Sequence, residues 1–279
     1  MKRTFSLLLI ALTLTLGGCA TTQTTKSGAV GVERKQFMML STKQVDRMAA
    51  QSYLQTLKEA DSKHKLNQNP QQTERVRAIS KRLIAQTGVF RPDALQWKWE
   101  VNVQEDRQLN AYCMPGGKIM VYSGLIEKLN ATDDELAAVI GHEIAHALRE
   151  HGRERMSQAY AQQAGVVGIG ILAAILSDDA NTAKASMGVA ATVGALALTL
   201  PNSREGEREA DRIGLELSAR AGYDPNAAVT LWQKMGAQGG SKPPEWMSTH
   251  PSEQSRIQDL KGLIPTVMPL YQEAKAKQG

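Results

Sequence analysis

The sequence predicts an α+β fold that is mostly helical, with one small sheet. Three observations predict it. Apolar residues at helical spacing recur along most of the chain. One stretch, residues 97–124, switches to period two. The composition is rich in Ala and Leu but holds only three Phe, six Tyr and four Trp, which favours helix over strand. The 279 residues, 42% of them hydrophobic, suffice for one large domain or two small ones. Lys and Arg outnumber Asp and Glu by 33 to 28, a net +5. These charges are spread along the chain, and no basic block carries interleaved aromatics, so nothing points to nucleic acid.

The first residues stand apart from the fold. Lys2 and Arg3 precede a twelve-residue apolar run, 5–16, which is too short to span a bilayer comfortably. Leu16-Gly17-Gly18-Cys19 follows. It resembles the bacterial lipobox, which implies that 1–18 is a lipoprotein signal peptide and that Cys19 carries lipid, an anchor rather than a span. Residue 20 is Ala rather than Asp, which favours the periplasmic face of the outer membrane. The polar, Thr-rich stretch that follows makes 19–40 a tether and 41–279 the domain. With Cys19 lipidated, Cys113 has no partner for an intramolecular disulfide and reads as a small buried residue.

Within the domain, Ser41 and Gln44 form a capping box opening a helix over about 42–65. Val76, Ile79, Leu83 and Ile84 predict a second amphipathic helix within 71–88, stopping at Gly88. Trp97, Trp99, Val101 and Val103 alternate with polar neighbours, as in a strand. Residues 109–124 give two short runs around Pro115-Gly116-Gly117, a hairpin, so the sheet has three or four strands. Thr132 and Glu135 form another capping box, opening a helix over about 133–151. Residues 164–176 and 187–200 are apolar but too short to span a membrane, and read as buried or membrane-grazing helices. A charged helix over 204–222 ends at Gly222, and Asp224-Pro225 caps the next. A Gly- and Pro-rich loop, 236–244, and a last helix or frayed end from 265 complete the chain. No 34-residue helical repeat follows the core.

The chemistry concentrates in VIGHEIAHALREHG, residues 139–152. Positions i and i+4 of a helix lie about 40° apart, so His142 and His146 face one way and can hold one metal ion. Glu143 can then reach water on that ion. If the helix continues, His151 lies about 140° round from His146, so it reads as a polar residue near the helix end rather than a ligand. The pattern H-E-x-x-H-x-x-G-x-x-H is excluded, because Arg149 and Gly152 occupy its last two fixed positions. His64 lies in a polar stretch without a partner pattern. An acid on another helix is the natural third ligand, and residues 203–211 supply candidates. Glu207 and Asp211 share one helical face at i, i+4. One can bind metal while the other accepts a hydrogen bond from a ligand imidazole. Glu205 and Glu209 are expected to be solvated.

Ser203, Arg204, Glu207, Ala210 and Asp211 also match the pattern S-R-x-x-E-x-x-A-D that follows H-E-x-x-H in peptidase family M48. NAYCMPGGKIMVYSGLI (110–126) and STHPSEQSRI (248–257) resemble two further segments of that family. The resemblance covers about 70–262, with four motifs in order. It points to gluzincins of the HtpX-like and CAAX-protease-like kind, and among them to envelope lipoproteins rather than multispanning members. It implies a zincin-like (gluzincin) metallopeptidase fold with an active-site helix. It implies one Zn2+ held by His142, His146 and Glu207, Glu143 as general base, and Asp211 bracing a ligand. His250 and Arg256 are the candidates for a second oxyanion stabiliser beside zinc. In the family the corresponding His also binds zinc in a resting, self-inhibited state, so His250 is either a fourth ligand or a transition-state donor. Before Pro251, it also fits a plain helix-capping role.

The strand near Asn110, Ala111 and Tyr112 can pair with an extended substrate backbone. The expected function is therefore a zinc endopeptidase of the cell envelope acting on unfolded or misassembled proteins. The alternative is a chaperone or assembly factor for outer-membrane proteins, working with the outer-membrane assembly machinery and carrying a latent metal site.

Overall fold

The computed structural model describes residues 21–167, 202–238, 249–250 and 254–278, the side chains of 162–167 excepted. The stretch expected to be a signal peptide, 1–18, lies outside the described residues with Cys19 and Ala20. So do the apolar runs from 168 on, the loop from 239, and residues 251–253.

In chain order the elements are β1 (Thr21–Thr22), β2 (Gln36–Phe37), α1 (Thr42–Ser62), α2 (Pro70–Ile84), β3 (Glu100–Gln104), β4 (Ala111–Met114), β5 (Lys118–Tyr122), α3 (Ser123–Lys128), α4 (Asp133–Leu148), α5 (His151–Val167), α6 (Arg204–Arg220), α7 (Ala227–Ala237) and α8 (Gln254–Ala276). The mostly helical α+β architecture is the expected one.

Local chemistry sets most boundaries. The Ser41–Gln44 capping box opens α1. α2 starts on Asn69, with Pro70 where its missing N–H costs nothing. It stops at Ile84 rather than Gly88, because the chain tightens into a 3-10 turn over Thr87–Val89. Trp97 and Trp99 precede the strand instead of starting it. A second 3-10 turn, Pro92–Gln96, ends there, and the two indoles stack with centroids 5.4 Å apart. α7 starts two residues later than Pro225. The Asp224 carboxylate accepts from the Asn226 N–H, making a turn before the helix rather than capping it. α8 runs unbroken through Pro265 and Pro269.

The main sheet has order β3-β5-β4. β4 and β5 form the expected hairpin, with Ala111 opposite Val121. β3 runs parallel to β5, with Val101 beside Ile119. Among the described residues β4 is thus an edge strand.

α4 is the central element, lying between the sheet and α6 and also touching α2 and α7. Leu136, Ile140 and Ile144 are fully buried. The Thr132–Glu135 capping box opens it, and Glu135 also binds Lys234 and Thr230 of α7. α4 and α6 cross backbone to backbone. A Cβ on Gly214 would stand 2.7 Å from the His142 nitrogen and 2.9 Å from the Gly141 carbonyl carbon. That contact brings His142 within reach of the acids on α6.

The tether expected over 19–40 is corrected over its described part. Val30 and Val32 enter the main core. The backbone N–H groups of Ala29 and Val30 donate to Glu216, and Arg34 binds Glu154 and Glu209. Residues 24–38 are a strap laid over α5 and α6, held by apolar burial and buried carboxylates that composition does not reveal.

Candidate metal centre

The motif helix ends where the sequence pattern does not mark it. Arg149 caps α4, Glu150 takes φ 52°, and His151 starts α5. A left-handed non-glycine residue costs about 1–2 kcal/mol. Ion pairs from Glu150 to Arg91 and Arg153 hold it there. The expectation that His151 points away from His146 assumed a continuous helix, and the break removes that assumption.

Four buried side chains converge: His142 and His146 from α4, Glu207 from α6, and His250. One donor atom of each lies within 4.8 Å of all the others. His142 Nε2 and His146 Nε2 are 3.0 Å apart. Glu207 places Oε1 3.2 Å from His146 Nε2 and Oε2 3.5 Å from His142 Nε2. Neither Glu207 oxygen accepts a hydrogen bond of normal geometry, although Arg256 Nη1 pairs with Oε2 at 2.7 Å. Such an under-satisfied buried carboxylate, facing two imidazole nitrogens, suits a cation.

The charges in the cluster are set by its surroundings. Burial opposes the ionisation of Glu207, but His142 and His146 outweigh it and hold the group well below the usual carboxylate range. Burial also acts against the charged form of His142, yet Asp211 and Glu207 overcome it and raise this imidazole to about 9. Burial wins at His146, which is pushed well below the ordinary imidazole value and so is held neutral.

Each α4 histidine is braced from behind. His142 Nδ1 lies 3.0 Å from Asp211 Oδ1, where the second acid of the i, i+4 pair was expected to brace an imidazole. Arg256 then grips Asp211 through Nε at 2.6 Å and Nη2 at 2.7 Å, with its guanidinium 4.2 Å over the Trp232 ring. Arg256 is therefore corrected as an oxyanion candidate. It is 2% exposed, bound to Glu207 and Asp211, and lies behind the donors rather than in the cleft. His146 Nδ1 lies 2.8 Å from His151 Nδ1, and His151 Nε2 lies 3.0 Å from Glu209 Oε2. Glu209, expected in solvent, is only 4% exposed. Arg149, Arg34 and His151 hold it at about 2 although burial opposes its ionisation. Glu205 is exposed, as expected.

On the other side lies a cleft of about 390 Å³, lined by Glu143, His146, His250 and residues 110–115, with Arg155 and Asn202. His250 Nε2 is 3.4 Å from Glu143 Oε1, and Thr249 Oγ1 is 2.9 Å from its Nδ1. Asn110, Ala111 and Tyr112 form part of the wall. Among the described residues, β4 pairs only with β5. Cys113 is buried and free, its thiol pushed up by burial. His151, Arg155 and Asn202 were not marked by the sequence as parts of the site. Nothing local in the sequence marks the helix break at Arg149–Glu150, nor Arg155 or Asn202.

The sequence profile of peptidase family M48 matches residues 70–264. The chain belongs to this family. It is 34% identical over 234 residues to the mitochondrial metalloendopeptidase OMA1 of Schizosaccharomyces pombe, covering 83% of this chain and 64% of that protein. It is 29% identical over 204 residues to the beta-barrel assembly-enhancing protease of Yersinia pestis, covering 72% and 40%. The counterpart in Escherichia coli is 32% identical over 169 residues, covering 58% and 34%. The matched part thus spans less than two thirds of each of these relatives. As an M48 member the chain has its H-E-x-x-H segment on α4 and its S-R-x-x-E-x-x-A-D segment at the start of α6, the two helices that supply three of the four clustered donors.

Proposed function

We propose that this M48 member is a zinc-dependent endopeptidase of the bacterial cell envelope, anchored through lipid on Cys19 to the periplasmic face of the outer membrane. Its substrates are misfolded or misassembled membrane and periplasmic proteins. One observation carries the catalytic reading. Two imidazoles and a carboxylate converge at the wall of a cleft that also holds Glu143 and the edge strand β4. The lipobox and the bacterial relatives support the envelope setting.

The donor set fits zinc: two neutral-capable imidazoles and one ionised carboxylate leave room for water. Zinc held by His142, His146 and Glu207 would lower the pKa of a bound water and polarise the scissile carbonyl. Glu143 takes the proton of the attacking water and delivers it to the leaving amine, so the peptide bond ends as a carboxylate and an amine. The outer edge of β4 at Ala111 and Tyr112, unpaired among the described residues, holds the substrate backbone extended, which selects unfolded chain over sequence. His250 faces both Glu143 and the donor cluster, a position that supports its reading as a resting ligand. Asp211 orients His142.

Replacing Glu143 with Gln is expected to reduce cleavage of unfolded casein by at least about 100-fold while zinc stays at one per chain. Undiminished cleavage would defeat the assignment. In His250→Ala, faster cleavage identifies a resting lock and loss identifies a transition-state donor. The second reading, an assembly factor with a latent site, draws on the names of the Yersinia and Escherichia relatives. It gains if the Glu143→Gln protein still supports assembly of outer-membrane proteins in cells.

A further inference from the structure

The cluster behind His146 has no part in the catalytic scheme above. We propose that His151 is a positioning residue that fixes the tautomer and orientation of His146 through a His–His–carboxylate relay ending on Glu209. The proposal rests on the reading of His146 as a metal ligand.

The geometry leaves one arrangement of protons. His146 turns Nε2 toward His142 and Glu207, at 3.0 and 3.2 Å. To ligate through that nitrogen it must carry its proton on Nδ1. Nδ1 faces His151 Nδ1 at 2.8 Å, so the His151 nitrogen must be the acceptor. The proton of His151 is then on Nε2, where it donates to Glu209 Oε2 at 3.0 Å. A choice made at one end sets both rings. Reversing it would place a proton on His146 Nε2, in the middle of the donors.

The far end is rigid. Arg149 donates to Glu209 Oε2 through Nε and Nη2 at 3.0 and 2.9 Å, and Arg34 Nε donates to Oε1 at 2.7 Å. The two rings meet edge to face with centroids 4.9 Å apart. Both histidines are buried, at 7% and 3% exposure, so bulk water does not compete for these contacts. The turn at Glu150 makes the relay, because it brings a residue five positions after His146 back against it.

The test separates the two ends of the relay. In Asn, Oδ1 stands where Nδ1 of His stands. In Gln, the amide nitrogen stands near Nε2. Zinc affinity, measured by competition with a chelator at constant pH, is expected to fall about 10–100-fold in His151→Phe. His151→Asn should recover most of that loss, because it still accepts from His146. His151→Gln should not, although it still reaches Glu209. Long-range 15N–1H correlation on the parent should find His146 protonated on Nδ1 and His151 on Nε2. A Phe variant that binds zinc like the parent, a Gln variant that matches Asn, or His151 protonated on Nδ1 would each overturn the proposal. If the Phe variant does not fold, the Asn and Gln pair and the parent's tautomers decide. A parent that binds no zinc would defeat the metal-site reading instead, and the tautomers on the same sample would still decide the relay.

Discussion

His142 and His146 stand one turn apart on α4 and are braced in different ways. Behind His142 is a single carboxylate, Asp211, gripped by Arg256 of α8. Behind His146 is a second imidazole, then Glu209, then Arg149 and the strap residue Arg34. The direct brace sets a full negative charge against the ring. The longer one keeps its charge one imidazole away. The two histidines differ accordingly: His142 is raised to about 9, while His146 is pushed down. One helix therefore presents a proton-holding and a neutral imidazole to the same point. A divalent cation bound there would have to displace a proton from His142, whereas His146 is held neutral.

The largest effect should come from breaking the direct brace at its cation. Arg256 pairs with Glu207 and Asp211 together. Arg256→Leu leaves those buried carboxylates without it, and such losses cost about 3–5 kcal/mol. Chemical unfolding of the metal-free protein should show that loss. Saturating zinc should return part of it, since the ion supplies positive charge at the same place. An equal loss with and without zinc would mean that Arg256 acts only through packing on Trp232.

Weakening the same brace without removing it should cost less. In Asp211→Asn the amide oxygen still accepts from His142 Nδ1, but the charge is gone. Zinc affinity is expected to fall about tenfold, the low end for a residue that orients a ligand. The comparison with His151→Phe then ranks the two braces. If Asp211→Asn leaves affinity unchanged while His151→Phe lowers it, the neutral brace is the one that matters.

The two braces were not equally legible in the sequence. Asp211 follows Glu207 at i, i+4, and a single helix carries that spacing into space without further information. The capping boxes at Ser41 and Thr132, and the hairpin at Pro115-Gly116-Gly117, were legible for the same reason: each is a local motif with local geometry. The relay was not. It depends on a left-handed residue at Glu150 that is held by Arg91, nearly sixty positions away in sequence, and on burial of Glu209 under a strap read as a tether. Helical periodicity presumes continuity, and a break maintained by distant ion pairs leaves no periodic trace. Arg256 shows the converse error. A motif placed it near the site, but only packing could decide on which side of the donors it lies.

The strap gives the smallest and most distinctive expectation. Arg34 binds Glu154 through Nη1 and Nη2 at 2.6 and 2.8 Å, and Glu209 through Nε at 2.7 Å. Burial opposes ionisation of both acids, yet Arg34 and their other partners lower both, Glu209 to about 2. A carboxylate lowered in the folded state contributes stability fully above its unfolded value of 4.5, and loses it as pH falls toward the folded value. Arg34→Met removes a half-exposed guanidinium, so the cost at neutral pH should be about 1 kcal/mol. The difference in melting temperature between parent and variant should therefore be constant above about pH 5, shrink below it, and go on shrinking down to about pH 2, where Glu209 of the parent is itself half protonated. A difference that stayed constant to pH 2 would assign the contribution of Arg34 to packing. In that case the strap would hold Glu209 by shape, and the charge that ends the relay would depend on Arg149 and His151.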